Sequence, residues 1–437
     1  MTTNTSIKIW RMRAKADQRF RAGHPWVYSN ELQESPKGIE PGSPIELQDA
    51  GGKFLARGYG NPNSLIAFRA LSRDPAIARP DSPEEVTQTL LSASKLREQA
   101  GLGDYSHRLC FGEADQLPGL IIDRYRTGDD TQAFVVQMHT AGMDKLQPNL
   151  VSILENFVRK SQSKVSWEKT AIVLDNEISA RKLEGVPQEA PRVLKDVKGL
   201  DLEKTVIRVM PALSFQEAPA AYVEFTTDLL GGQKTGFFLD QATNIQLAAE
   251  RLMQFKPAQG KTIKIIDLCC YVGQWGTQLT RVFKRMGLDV EVTVVDASAS
   301  ALEHAKVNVE REGARCKTMK ADVLTGLDAL KDQDYDLVIS DPPALIKGRK
   351  DIPTGTHAYL QLNTQVFRMV KRGGFVVSCS CSGLLEEESF LKVLSKAAYR
   401  NKVSVRWIAR GSQAPDHPMR IEFPEGRYLK AWIGYVG

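Results

Sequence analysis

The sequence predicts a multidomain protein with a small N-terminal β-barrel, a small central α+β domain and a C-terminal α/β domain built on a parallel sheet. Three observations carry this reading. Residues 1–75 hold apolar residues in alternation, cut at close intervals by Gly, Pro, Asn and Asp, the pattern of short strands in a curled sheet. Residues 76–195 mix strand-like and helix-like stretches. From about residue 260 onward, continuous apolar runs alternate with helical periodicity, as strands buried on both faces and their crossover helices require. With 437 residues, 42% of them hydrophobic, the chain can fill more than one core.

In the first domain, 1–75, the stretch SPKGIEPGSPIELQDAGGKFLARGYGNPNS (35–64) supplies the turn residues. Just before it stand six basic residues, Lys8, Arg11, Arg13, Lys15, Arg19 and Arg21, against one acid, Asp17. A solvated face explains them, and so does a surface that contacts phosphates. The Pro-rich RDPAIARPDSPEE (73–85) then opens a helix. Pro83 suits its first turn, Glu84 and Glu85 suit the positive end of its dipole, and Val86, Leu90, Ala93 and Leu96 form an apolar stripe. Gly101 ends it. A boundary therefore falls near 76.

The central domain, 76–195, continues with strands in LPGLIIDRY (117–125), QAFVVQMH (132–139) and TAIVLDN (170–176), and a helix over 146–160. Residues 185–220 read as an irregular, Pro-rich connection. The stretch TTDLLGGQKTGFFLDQ (226–241) reads as a hairpin turning at Gly231-Gly232, and the third domain, 196–437, includes that hairpin segment, 221–241. Its strands lie in KTIKIIDLCC, VEVTVVDAS, YDLVISDPP and GGFVVSCSCS. Between the second and third of these, SASALEHAKVNVEREG (298–313) is a helix, with Ser300 and Glu303 at capping-box spacing, Leu302, Ala305 and Val309 on one face, and Gly313 at its end.

The totals exclude several classes. No apolar run approaches the ~20 residues that span a bilayer, and the N-terminal stretch lacks the apolar core of a signal peptide, so a cytoplasmic protein without membrane contact is expected. The cysteines at 110, 269, 270, 316, 379 and 381 include no CxxC pair and no zinc spacing, which argues for free thiols and against a metal site. A net charge of +6 mildly favours a polyanionic partner.

In a parallel sheet the chemistry stands beyond the carboxyl ends of the strands. Those positions hold Asp267 and Gly273 after the first strand, Asp296 at the end of the second, Asp322 in KADVL, and Asp341 in SDPPA. The loop DLCCYVGQWG has Tyr271 where a dinucleotide fingerprint would have its first glycine, and no GxxxxGK[ST] occurs. An adenosine-bearing cofactor without a pyrophosphate fits better. Asp296 is placed to accept from ribose hydroxyls and Asp322 to face an adenine amino group. Acids after strands one, two and three, with Asp-Pro-Pro after the fourth, resemble a Rossmann-like class I S-adenosylmethionine-dependent methyltransferase.

The whole chain is similar to a bacterial family that joins an N-terminal PUA RNA-binding domain, a central α+β domain and such a methyltransferase domain. The resemblance is carried by RAGHPWVYSNEL (21–32), HRLCFGEADQLPGLIIDRY (107–125), QKTGFFLDQ (233–241), YVGQW (271–275), SDPP (340–343), SCSGLL (380–385), and DHP with FPEGRYLKAW (416–432). The family's best-known members make 5-methylcytosine in large-subunit ribosomal RNA and tend to dimerise. Ala242, Ala344 and Leu360 stand where the family usually has basic residues.

The resemblance implies S-adenosylmethionine as cofactor, bound by Gln241, Asp267, Tyr271, Gly273, Asp296, Asp322 and Asp341. It implies Cys381 as the nucleophile that attacks carbon 6 of the pyrimidine, and Asp341 as its catalytic partner at the N3/N4 edge. A thiol suits this role because its thiolate is accessible near neutral pH. Without the resemblance, simple burial is the better reading for Cys381, and core packing is the reading for Cys379. Arg19, Arg21, His24, Trp26 and Lys234 are the RNA-binding candidates. Methylation of an exocyclic amine is the rival chemistry, but Ala344 lacks the aromatic ring that such sites place after the two prolines. The sequence is also compatible with methylation at uracil carbon 5, and with an RNA-binding protein that keeps the scaffold without the activity.

Overall fold

A computed structural model describes residues 7–161, 163–218, 221–255, 260–330 and 334–437. The chain divides into two compact units. The first comprises residues 1–203, 228–236 and 416–426, and the second 204–227, 237–415 and 427–437.

The first unit contains two five-stranded sheets. One is the N-terminal curled sheet, in which Lys8–Arg11, Ser43–Gln48, Phe54–Gly60, Ile66–Ser72 and Trp26–Tyr28 lie in that spatial order. Trp10, Phe20, Val27, Ile45, Leu47 and Phe68 fill its core. The other consists of Glu189–Lys195, Thr170–Asn176, Gln132–Met138, Leu120–Arg126 and His107–Phe111. The helix Pro83–Gln99 belongs to this unit, and the Ser82 side chain accepts from the Glu85 N–H at its start. Its buried face holds Val86, Leu90 and Ala93 as expected, but Leu96 is 44% exposed and Arg97 is buried in its place. The spacing 86, 90, 93, 97 follows the 3.6-residue period better than one ending at 96.

Two expectations fail here. Residues 185–220 are not irregular, since they contain the strands Glu189–Lys195 and Thr205–Val209. The first is an edge strand, which tolerates Pro191, and its exposed residues hide the strand pattern. The hairpin at 226–241 is also absent. Val223–Thr227 pairs instead with Thr205–Val209, and Asp228 Oδ1 accepts from the N–H groups of Leu230 and Gly231, at 2.8 and 2.7 Å. That side-chain turn satisfies the Leu230 and Gly231 N–H groups without a returning strand.

The second unit carries a seven-stranded sheet. Its strands are β1 (Ile263–Leu268), β2 (Val290–Asp296), β3 (Arg315–Lys320), β4 (Tyr335–Ser340), β5 (Val370–Ser380), β6 (Val405–Gly411) and β7 (Lys430–Val436). The spatial order is β3-β2-β1-β4-β5-β7-β6, parallel except for β7. Successive residues of β1 enter different layers: Ile263 and Ile265 join one core cluster, Ile266 and Leu268 the other. The connecting helices are α1 (Gln274–Arg285), α2 (Ala299–Arg311), α3 (Ile352–Met369) and α4 (Glu387–Arg400). α2 is capped by Ser298, which accepts from Ala301 N–H, and not by Ser300 as the capping-box spacing suggests. Among the described residues, no helix is long and apolar enough to cross a membrane.

Candidate active site

Strand order reverses between β1 and β4, and the candidate residues collect at the carboxyl ends of these strands and of β2 and β5. Beyond β1 the chain makes a tight loop into α1. Cys269, Tyr271 and Gly273 have φ of 59°, 50° and 78°. For the two non-glycine residues this conformation costs about 1–2 kcal/mol each, and such strain gathers at ligand sites. At Gly273 a Cβ would stand 3.1 Å from Ala305, so the loop packs on α2 only with glycine there.

Asp267 lies on β1 and is completely buried. Its Oδ2 accepts from Gly276 N–H at 3.0 Å, while Oδ1 has no partner among the described residues. Burial, aided by Asp341 and Asp296, pushes its carboxyl up to about 8. Asp296 ends β2 and accepts from the N–H groups of Tyr271 and Ser298, both at 2.9 Å. Asp341 follows β4, where its Oδ2 accepts from Gln241 Nε2 at 2.8 Å and from Trp275 Nε1 at 3.2 Å. Gln241 in turn accepts from Asn244 at 2.6 Å. Tyr271 packs edge-on against Phe238, with ring centroids 5.2 Å apart. Asp322, two residues past β3, is exposed, and its carboxylate accepts from Leu324 N–H at 2.9 Å.

Cys381 follows β5, half-buried, and its thiol donates to the Pro342 carbonyl at 3.5 Å. Cys379 is 1% exposed within the apolar core, where burial holds its thiol well above the usual range. Cys270 is buried and Cys269 half-buried in the loop after β1.

Comparison with known proteins agrees with this architecture. Residues 11–73 match the PUA-like domain, and residues 236–376 the methyltransferase small domain. The chain is 30% identical over 418 residues to a ribosomal RNA large subunit methyltransferase I from Erwinia tasmaniensis, covering 94% of each chain. The chain belongs to the ribosomal RNA large subunit methyltransferase I family. A member from Photobacterium profundum is 28% identical over 443 residues, 99% of each chain. Among solved structures, a putative SAM-dependent methyltransferase from Streptococcus mutans shares the fold, with a TM-score of 0.71 at 14% identity over 98% of this chain and 100% of that one.

S-adenosylmethionine is the cofactor of this methyltransferase. The residues present fit it: a sulfonium and an ammonium group are complementary in charge to the acids Asp267, Asp296 and Asp341 at the strand ends, and among the described residues the buried Oδ1 of Asp267 has no partner. Gln241 donates to Asp341 and the Tyr271 N–H to Asp296, so these residues and Gly273 would help to hold the cofactor, which when bound would supply an electrophilic methyl group. Because the Asp267 carboxyl is raised from 3.8 to about 8, its ionised form is disfavoured in the fold. The penalty is absent below pH 3.8, grows by up to about 1.4 kcal/mol per pH unit, and is complete above pH 8. Asp267→Asn is therefore expected to raise the thermal midpoint of the cofactor-free protein at pH 8 more than at pH 5, while weakening cofactor binding. Melting curves and calorimetric titration of both proteins check this, and an equal gain at both pH values would refute it.

The N-terminal candidates belong to the first unit. His24 is buried; its ring stands 3.2 Å from Glu425 and 3.0 Å from Arg19, and burial lowers its pKa. Trp26 donates from Nε1 to Glu113 at 2.9 Å and packs edge-on to Phe423. Arg19 pairs with Glu31 at 3.2 Å, and Arg21 pairs with Asp17 and Asp49. Lys234 lines a groove of about 720 Å³ with Asp175, Glu177, Glu203 and Asp228. Sequence reasoning missed Trp275 and Asn244 as holders of the site, and Lys430, whose ammonium donates to the carbonyls of Ser382 and Leu385 at 2.7 and 2.9 Å. YVGQW contained Trp275, but nothing in the sequence aims its indole at Asp341.

Proposed function

We propose that this methyltransferase forms 5-methylcytosine in large-subunit ribosomal RNA, with Cys381 as nucleophile and Asp341 holding the base. The substrate class comes from the relatives' names. The observation that carries the chemistry is the Cys381 thiol on the Pro342 carbonyl, next to an Asp341 carboxylate held by two donors. Carbon 5 of cytosine is not nucleophilic. Attack of the Cys381 thiolate on carbon 6 forms a C–S bond and drives the electron pair of the 5,6 double bond toward carbon 5, with N3 taking up a proton. Asp341 faces the N3/N4 edge and holds that proton. Carbon 5 gains the methyl and loses its hydrogen as a proton to a base; the C–S bond then breaks, the thiolate is regenerated, and N3 gives up the proton it had taken.

RNA capture is assigned to the PUA-like domain. Lys8, Arg11 and Lys15 are exposed and form no ion pair among the described residues, so they supply phosphate contacts beside Arg19 and Arg21. His24 and Trp26 hold the 416–426 segment of their own unit and shape that surface from within. Incubation with labelled S-adenosylmethionine and unmodified ribosomal RNA, followed by mapping of the labelled base, tests the proposal. Label at cytosine carbon 5 is expected. Label on an exocyclic nitrogen or on uracil would reject the cytosine assignment, and no label on any RNA would favour a scaffold without activity.

A further inference from the structure

Lys430 opens β7, paired across the ladder with Ser380 of β5. Its ammonium donates to the carbonyl of Ser382, the residue after Cys381, at 2.7 Å, and to that of Leu385 at 2.9 Å. The side chain is half-buried, and among the described residues it makes no ion pair. A cation taken out of water without an anion is unfavourable, and two neutral carbonyls offset only part of that cost. Cys381 stands between the two residues that Lys430 meets, Ser380 and Ser382, and its thiol is able to become such an anion; the Glu387 carboxylate also acts on this ammonium without pairing with it. The helix dipole is a weaker source of stabilisation: α4 begins only at Glu387, and its first turn carries Glu387 and Glu388, which offset the positive end.

We infer that Lys430 is a positioning residue whose ammonium serves as the counter-ion of the Cys381 thiolate, and that its two carbonyl bonds also fix the loop carrying that thiol. The inference rests on Cys381 being the nucleophile. In the resting protein the Cys381 S–H bond donates to Pro342; on activation the proton leaves to solvent and the sulfur keeps the electron pair beside the ammonium. The other titratable groups that bear on the pair are Glu387 at the start of α4, Tyr359 on α3, Asp341 after β4 and Cys379 on β5. Asp341 and Glu387 disfavour a second negative charge, which makes a cation at this position more necessary. Burial lowers the Lys430 ammonium to about 8, so the counter-ion is present at neutral pH and fades as pH rises through that value.

Alkylation of Cys381 by iodoacetamide, followed peptide by peptide by mass spectrometry from about pH 6 to 10, reads the thiolate without RNA or cofactor. Lys430→Gln is expected to slow alkylation at pH 7 about tenfold or more, the effect of raising a thiol by one pKa unit. Lys430→Arg, whose charge does not titrate in this range, is expected to restore the rate. An unchanged profile in the glutamine variant overturns the inference. So does an arginine variant that folds, as judged by circular dichroism, yet alkylates no faster than the glutamine variant. Where the glutamine variant does not fold, the arginine variant decides: it must keep the wild-type rate at neutral pH and lose the inflection near pH 8. These outcomes are independent of base mapping. A fast, Lys430-dependent thiol with label on an exocyclic nitrogen would reject the proposed reaction alone, and cytosine-5 product with a Lys430-independent thiol would reject the counter-ion alone.

Discussion

Cys381→Ala is expected to lower methyl transfer to RNA at least about 10³-fold, the scale on which removing a covalent nucleophile acts. Without a thiolate at carbon 6, carbon 5 stays electron-poor and an adjacent methyl donor has nothing to react with. Cofactor binding is expected to persist, because none of the residues assigned to it lies in the loop after β5 that carries Cys381. Cys379→Ala is the contrast. That thiol packs in the apolar core, so its loss leaves a small cavity and an active enzyme. A cytosine carrying fluorine at carbon 5 gives an independent readout. The fluorine does not leave as a cation, so the adduct persists as a complex stable to denaturant with wild-type protein and is absent with Cys381→Ala. Full activity in the alanine variant would remove Cys381 from the mechanism.

Arg97→Leu is expected to destabilise the first unit by about 3–5 kcal/mol, the cost of stranding one partner of a buried ion pair. The Arg97 side chain has no exposed surface. Its guanidinium donates to both oxygens of Asp115, at 2.6 and 2.7 Å, and to the carbonyls of Arg108 and Asp416, at 2.9 and 2.7 Å. Leucine would leave the Asp115 carboxylate with the Phe111 N–H, at 2.7 Å, against a buried negative charge. Adding Asp115→Asn removes that charge and is expected to recover part of the loss. Urea unfolding of the two variants measures both effects, and a midpoint within error of wild type for Arg97→Leu would contradict the assignment.

The methyltransferase sheet was legible where burial makes a run apolar. β1, β2, β4 and β5 lie inside the sheet with both faces covered, so no period-2 alternation is needed to see them. β3 and β6 are edge strands, reading RCKTMK and VRWIARG, and their exposed positions left no such signal. The acids at the strand ends were legible because topology fixes where such residues stand. Their holders were not. Trp275, Asn244 and Lys430 reach their partners through long-range packing, and local periodicity carries no information about a neighbour contributed by another element. The same reason explains the partners of the RNA-binding candidates His24 and Trp26, Glu425 and Glu113, which no local pattern announces.

The path of the chain has a consequence for its biogenesis. It passes from one unit to the other after residues 203, 227, 236, 415 and 426. The bond from Arg97 to the Asp416 carbonyl spans 319 positions. At about 5–20 residues per second, roughly 15–60 s of translation separate its two ends. The N-terminal unit therefore emerges from the ribosome with Arg97 still lacking the Asp416 carbonyl and His24 still lacking Glu425, and its last hydrogen bonds form only when synthesis is nearly finished. Unlike a string of modules that mature one after another, this protein completes both halves together, and a chain cut short before residue 416 lacks part of the half that was made first.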